Sequence, residues 1–368
     1  MTCEVERMTG YYGIILGAAQ RSTRSKPRKR APLIGGTRTM PNELKIFTGT
    51  AHPDLAHSVC DYLNIPLGKA QVFKFTNDNT FVQYQENIRD QDVFIIQPFS
   101  YPVNDHVMEL LIMIDAARRA SAGRITAVLP YMAYGRTDKK DQPRVPITAR
   151  LLADLITVAG AQRVLTLDLH AGQIQGFFNI PVDELTGLPL LVRHFTEIKL
   201  KDPVVVAVDI GISKRARNLA ELLGAPLAII EKRRVGNSQN AESLNVIGDV
   251  SGRTAITFDD ETDTGGTLLS AVNALENQGV KAVYACCTHG VFSGPVLDKI
   301  DSSNVQELVV TDSLPHIGTT RNTRKISVLS VAPLLGEAIR RIHAGTSVGA
   351  MFEEWSAVNE YSPVRDDM

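Results

Sequence analysis

The chain has 368 residues, with 39 Lys plus Arg against 40 Asp plus Glu and a formal net charge of −1. At 44% hydrophobic and 21% charged it has the balance of an ordinary globular protein, and its length suits two domains. No global charge draws it toward nucleic acid, and no apolar run approaches the ~20 residues of a membrane-spanning helix.

Residues 1–39 carry Arg21, Arg24, Lys26, Arg28, Lys29 and Arg30 among Ser, Thr, Pro and Gly. Such a mixture cannot bury a core, so a disordered basic extension is expected, or a start assigned too far upstream. The apolar stretch Tyr11 to Ala19 is broken by glycine and followed by basic residues, the wrong order for a signal peptide. Cys3, Cys60, Cys286 and Cys287 lack metal-ligand spacing, which fits reduced thiols in a cytoplasmic protein without membrane or nucleic-acid partners.

From Leu44 the pattern alternates. Short apolar runs at Val93–Ile96, Ile125–Leu129, Val164–Leu167, Val204–Val208, Leu227–Ile230, Ala255–Phe258 and Val283–Cys287 suit strands buried on both faces of a parallel sheet. Helical patterns at Val107–Ala120, Thr148–Ala159, Lys214–Leu223 and Leu268–Gln278 lie between them. This alternation predicts a doubly wound α/β fold. A faint repeat supports two tandem domains: Gly160 to His170 spans the same distance as Gly279 to His289, with Arg163 and Lys281 leading into the strand between, and each glycine is placed to end a helix. The expected division is 1–39 extension, 40–185 first domain, 186–352 second domain and 353–368 flexible tail.

The most informative stretch is Ala255-Ile-Thr-Phe-Asp-Asp-Glu-Thr-Asp-Thr-Gly-Gly-Thr-Leu268. A buried strand runs into acids, then a Gly- and Thr-rich turn, then a helix. The N–H groups of the turn and helix start form an anion site around Asp263, Thr264, Gly265, Gly266 and Thr267. Asp259 and Asp260 would repel phosphate, but ionised carboxylates are pure acceptors and suit sugar hydroxyls. Phosphate at one end and vicinal hydroxyls at the other describe ribose 5-phosphate. The competing reading is an ordinary strand-to-helix turn with solvated acids.

This segment resembles the phosphoribosyl pyrophosphate signature of type I phosphoribosyltransferases and of ribose-phosphate pyrophosphokinases. Three further segments resemble the pyrophosphokinases: Asp168-Leu-His-Ala-Gly-Gln-Ile-Gln-Gly-Phe-Phe178, Tyr134-Gly-Arg-Thr-Asp-Lys-Lys-Asp141 and Thr288-His-Gly-Val-Phe-Ser-Gly-Pro295. The resemblance runs from about Met40 to Phe352. It implies two tandem type I phosphoribosyltransferase-like domains, each a mostly parallel sheet flanked by helices, and transfer of diphosphate from MgATP to ribose 5-phosphate with AMP as by-product. It implies catalytic roles for Lys232 and Arg234, Mg2+ ligation by His170 and Asp209, and ATP contacts from Phe75, Asn77, Asn79, Arg136 and Thr137. Asn79 stands where the family commonly has an acid, and Ile212 replaces a common glycine. A homo-oligomer, commonly a hexamer built from dimers, is implied as well, with Arg89, Arg144 and Ser347 near a regulatory anion site where Asn87 replaces a small hydroxyl residue.

Read without the resemblance, His170 is as well explained as a structural histidine at a strand end. The cations of Glu231-Lys-Arg-Arg-Val-Gly-Asn237 likewise suit a solvated polar loop. Two rivals remain. A phosphoribosyltransferase would need no second nucleotide site, and a non-catalytic subunit of the same fold would tend to lose the cations and phosphate turn that this chain keeps.

Overall fold

The apolar runs become parallel strands because helices cover both faces of each sheet. The computed structural model describes residues 43–234, 242–315 and 323–352, the side chains of 232–234 and 242–243 excepted. The expected basic extension and C-terminal tail lie outside these residues.

The first half of the chain runs β1 (Leu44–Thr48), α1 (Pro53–Leu63), β2 (Ala70–Lys74), β3 (Thr80–Tyr84), β4 (Asp92–Ile96), α2 (Val103–Arg119), β5 (Arg124–Leu129), α3 (Thr148–Ala159), β6 (Arg163–Leu167), a 3-10 turn at Gly172–Phe177, and β7 (Val182–Leu185). Strands β1-β4-β5-β6-β7 form one all-parallel sheet, while β2 and β3 pair as a separate hairpin. The second half runs α4 (Leu188–Ile198), β8 (Pro203–Ala207), α5 (Ser213–Leu222), β9 (Leu227–Arg234), β10 (Glu242–Ile247), β11 (Thr254–Thr262), α6 (Gly266–Asn277), β12 (Ala282–Gly290), α7 (Val296–Ser302), β13 (Val305–Thr311), β14 (Ile326–Leu329) and α8 (Ala332–Ala344). Its sheet has the order β10-β9-β8-β11-β12-β13-β14, parallel except for β10. Every strand and helix expected from the pattern is present, with boundaries shifted by a few residues.

Side-chain alternation divides the core. In β4, Val93 and Ile95 pack with residues of α2 and α3, whereas Phe94 and Ile96 pack with residues of α1 and α8. Helix α8 follows the second sheet in sequence yet covers the first. It is tied there by the wholly buried Asp92, which accepts from Arg124 Nε at 2.7 Å and faces His343 Nδ1 at 2.8 Å, while Arg124 also donates to the Ile342 carbonyl at 3.0 Å. The two repeat glycines both take positive φ after a helix, Gly160 at 127° and Gly279 at 77°.

In the second sheet the chain passes from β8 outward to β9, then returns to β11 on the other side of β8. A crevice opens at the carboxyl ends where the strand order reverses, the usual ligand position in an open α/β sheet.

Candidate functional site

Strand β11 ends in this crevice, and α6 starts directly beyond it. Gly265 has φ of 73° and is the N-cap of α6 with no side-chain cap, so the first N–H groups of the helix are left to the crevice. Asp259, Glu261 and Asp263 through Thr267 line the cleft, with Val208, Thr257 and Ala285 beneath and Arg136 at its mouth. Asp263 Oδ1 is buried without a hydrogen-bond partner among the described residues.

A second cleft adjoins the first. Its walls include Tyr131, Tyr134 and Gly135 beyond β5, Asp168 to His170 beyond β6, and Asp260 and His289 from the second sheet. A strand turns successive side chains to opposite faces. Asp259 therefore faces the phosphate turn, while Asp260 faces His170, whose Nδ1 lies 2.6 Å from Asp260 Oδ2. Asp259 and Asp260, both expected to meet the sugar, thus stand on opposite faces of β11 and line adjoining clefts. Glu261, which sequence reasoning passed over, joins the clefts: its carboxylate takes Arg136 Nε at 2.5 Å and the Tyr131 hydroxyl at 3.0 Å. Arg136 Nη1 also lies 3.7 Å from Asp263 Oδ2, so this arginine borders both clefts.

The charges are set by these contacts. Burial, the charge of Asp260 and a hydrogen bond to it push Asp259 well above the usual carboxylate range, and Asp209 adds to the effect. Burial alone would raise Asp260 too, but its hydrogen bonds with His170 and Asp259 prevail and hold it down to about 2. The hydrogen bond to Asp260 raises His170 above the ordinary imidazole value against its own partial burial. The adjacent acids thus divide, Asp259 raised by burial and by its neighbour's charge, Asp260 lowered by its hydrogen bonds to the histidine and to Asp259.

Asp209 stands just after β8, its Oδ1 accepting from Ile212 N at 3.0 Å. Among the described residues no group of three or more His, Cys, Asp or Glu is arranged as a metal site. His170 and Asp209 would each offer one donor, Nε2 and Oδ2, since Nδ1 and Oδ1 are engaged. Such a sparse set fits magnesium, which takes few protein ligands and completes its shell with phosphate oxygens and water.

Phe75, Asn77 and Asn79 are exposed around the tip of the β2–β3 hairpin and do not line either cleft. Phe75 packs with Phe73 and Phe81, ring centroids 5.1 and 5.7 Å away. The hairpin reaches toward the second cleft through α2: Lys74 pairs with Asp105 at 2.7 Å, and the neighbouring Asn104 accepts from Tyr134 at 2.6 Å. Thr137 closes a turn onto the Tyr134 carbonyl at 3.0 Å and lines neither cleft. Lys232 and Arg234 do not open a loop; their backbone continues β9, opposite Leu244 and Glu242 of β10, and their side chains lie outside the described residues. Arg89 follows β3, Arg144 lies between β5 and α3, and Ser347 follows α8; among the described residues no hydrogen bond or ion pair joins the three.

The clefts are held by residues to which the sequence alone assigned no role. Asp168, at φ of 38°, accepts through Oδ2 from Gly187 N and Thr288 Oγ1, both at 2.7 Å, and its carbonyl takes His289 Nε2 at 3.1 Å. Asp168, Thr288 and His289 fell within quoted segments, but only their spatial pairing assigns them a task.

Residues 44–160 match the family model described as the N-terminal domain of ribose phosphate pyrophosphokinase, and residues 235–353 match the phosphoribosyl synthetase-associated domain. The ribose-phosphate pyrophosphokinase of Brucella melitensis is 52% identical over 311 residues, 84% of this chain and 100% of that protein. That of Clostridium perfringens is 50% identical over 314 residues, 84% of this chain and 98% of that protein. A crystal structure of the phosphoribosylpyrophosphate synthetase of Mycobacterium smegmatis superposes with a TM-score of 0.77 at 42% identity, covering 82% of this chain and 99% of its own. With the crevice at the strand reversal, the phosphate turn and the adjoining cleft all in place, the chain belongs to the ribose-phosphate pyrophosphokinase family.

Proposed function

We propose that the protein transfers the diphosphoryl group of MgATP to ribose 5-phosphate, giving AMP and 5-phospho-α-D-ribose 1-diphosphate. The observation that supports this reading is the contact between Asp260 and His170, which sets a second cleft, with Arg136 and His170 on its walls, directly against the first. A simple phosphate-sugar binder needs only the first cleft.

In this reading the 5-phosphate sits on the N–H groups at the start of α6 and on the hydroxyls of Thr264 and Thr267. Asp259 and Asp260 receive the ribose hydroxyls, with Asp263 in the turn that takes the phosphate. The polyphosphate of ATP lies in the second cleft, where the Arg136 fork meets its oxygens, and the hairpin residues Phe75, Asn77 and Asn79 serve the base. His170 and Asp209 hold Mg2+, which when bound neutralises phosphate charge. The anomeric oxygen attacks the β-phosphorus, the bond to the α-phosphate oxygen breaks, and AMP leaves. Lys232 and Arg234 are assigned to the transferring group, because phosphoryl transfer is accelerated chiefly by positioning and by charge placed where it develops. No side chain is assigned as base.

We assign the tandem domains to 40–185 and 186–352, and the working form to a cytoplasmic homo-oligomer of the hexamer-of-dimers type. Leu151, Leu155 and Val158, exposed along one face of α3, favour assembly over a lone chain. No described helix is long and apolar enough to cross a membrane.

The test is incubation with MgATP and ribose 5-phosphate followed by phosphorus NMR. AMP and a sugar 1-diphosphate are expected in equal amounts. ADP as the product would make the protein a simple kinase and overturn the reading.

A further inference from the structure

The segment that carries His170 is clamped from both sides. The Leu169 N–H donates to Glu184 Oε1 at 2.9 Å, and the Leu169 carbonyl accepts from Arg215 Nη2 at 2.6 Å. Arg215 and Glu184 themselves approach to 3.3 Å, and Gln175 occupies the other Glu184 oxygen. Both polar groups of the residue next to His170 are therefore spoken for. Glu184 comes from β7 of the first sheet, but Arg215 comes from the first turn of α5 in the second half of the chain.

Arg215 is also tied in sequence to Asp209. Asp209 Oδ1 accepts from Ile212 N at 3.0 Å, which fixes the turn leading into α5, and Arg215 stands three residues beyond Ile212. One guanidinium thus spans the element that bears Asp209 and the element that bears His170. Arg215 and Glu184 are both largely covered, with side-chain exposures of 28% and 15%. A charge-assisted bond from a planar guanidinium fixes direction as well as distance, which a flexible lysine does not do.

We propose that Arg215 is a positioning residue that sets the separation of His170 from Asp209, and through it the binding of the divalent cation that accompanies ATP. The proposal rests on the assignment of His170 and Asp209 as ligands. Arg215 lines neither cleft; it acts through the Leu169 peptide. Residues that orient metal ligands in this way change affinity by roughly 10–100-fold when removed.

The experiment compares R215M, R215K and H170A with the unaltered enzyme, and with R217M as a control for losing a cation from the exposed part of α5. Binding of Mn2+ alone is measured by electron paramagnetic resonance, and the kinetic constants for MgATP and ribose 5-phosphate are measured beside it. R215M is expected to weaken Mn2+ binding and raise the KM for MgATP by about tenfold, with turnover at saturation and the KM for ribose 5-phosphate little changed. R215K should fall between, since one ammonium donor still reaches the Leu169 carbonyl, and R217M should match the unaltered enzyme. On the H170A background, R215M should add nothing. If H170A weakens Mn2+ binding but R215M does not, the positioning role is overturned and the ligand assignment stands. If R215M lowers stability and shifts turnover and both KM values alike, Arg215 is only a strut and the proposal fails. If H170A leaves Mn2+ binding intact, the ligand assignment falls and the proposal with it.

Discussion

Replacing Gly265 by alanine tests whether the phosphate turn is held by backbone conformation. Gly265 has φ of +73°, a region that costs an L-residue about 1–2 kcal/mol. The added methyl would also stand 2.7 Å from Val296 Cγ2. Val296 is 0% exposed and sits in the core, so it has no free space to swing into. Forcing a methyl into such packing costs about 1–3 kcal/mol. The two effects together predict a loss of about 2–5 kcal/mol, against a total of about 5–15 kcal/mol for a typical domain. Gly266 provides the contrast. Its φ is not left-handed, and a Cβ there would meet nothing closer than Thr264 Oγ1 at 3.8 Å. As the first residue of α6, alanine at 266 is favoured over glycine by up to about 1 kcal/mol. Equilibrium unfolding in urea, read by circular dichroism, separates the two variants, and ribose 5-phosphate saturation in the AMP-forming assay reads the turn. Gly265→Ala should lose stability and bind ribose 5-phosphate poorly. Gly266→Ala should keep its stability and lose affinity only as far as the methyl obstructs the phosphate. A Gly265→Ala enzyme as stable as the unaltered one would refute the reasoning, as would equal destabilisation at the two positions.

Asp260→Asn should lower the His170 pKa toward its ordinary value, because the hydrogen bond to the charged carboxylate is the main cause of its rise; the histidine ring protons in NMR would report it, and an unchanged titration would contradict the pairing. Asp260 titrates at about 2 when folded and nearer 3.8 when free, so its contribution to stability is complete above pH ~4 and is lost as pH falls through about 2. In urea titrations across that window, Asp260→Asn should therefore be less sensitive to acid than the unaltered protein. Lys232→Ala and Arg234→Ala should each cut turnover far more than they weaken ribose 5-phosphate binding, as expected of groups that act mainly in the transition state; near-normal turnover at saturating substrate would remove them from the catalytic assignment. Deleting residues 1–39 should leave activity and thermal stability unchanged, since the matched family regions are residues 44–160 and 235–353; a large loss on truncation at Met40 would make the basic extension part of the working enzyme.

The arrangement of the clefts also gives Glu261 a place in the chemistry. Its carboxylate stands where the two clefts meet, and both its oxygens are engaged, by Arg136 and by Tyr131. Its charge is thereby spent on orienting the guanidinium, whose terminal nitrogens face the junction of the two clefts.

Much of this protein is written locally. Runs such as Val93–Ile96 and Ala255–Phe258 announce buried parallel strands, because a strand covered on both faces has no polar side to display. The turn Asp263–Thr267 is equally legible, because it is built from consecutive residues and leads directly into a helix. Other features depend on pieces distant in sequence. Helix α8 was not among the expected helices, and that it covers the first sheet follows only from the packing of Asp92, Arg124 and His343. Asp259 and Asp260 look like a pair in the sequence. Strand alternation turns them to opposite faces, and only the arrival of His170 from 90 positions away lowers one carboxylate while burial raises its neighbour. The sequence by itself determined which residue types were available and in what local conformation. The tertiary structure decided their partners, and in a low-dielectric interior it is the partner, present or absent, that sets charge, orientation and therefore chemistry.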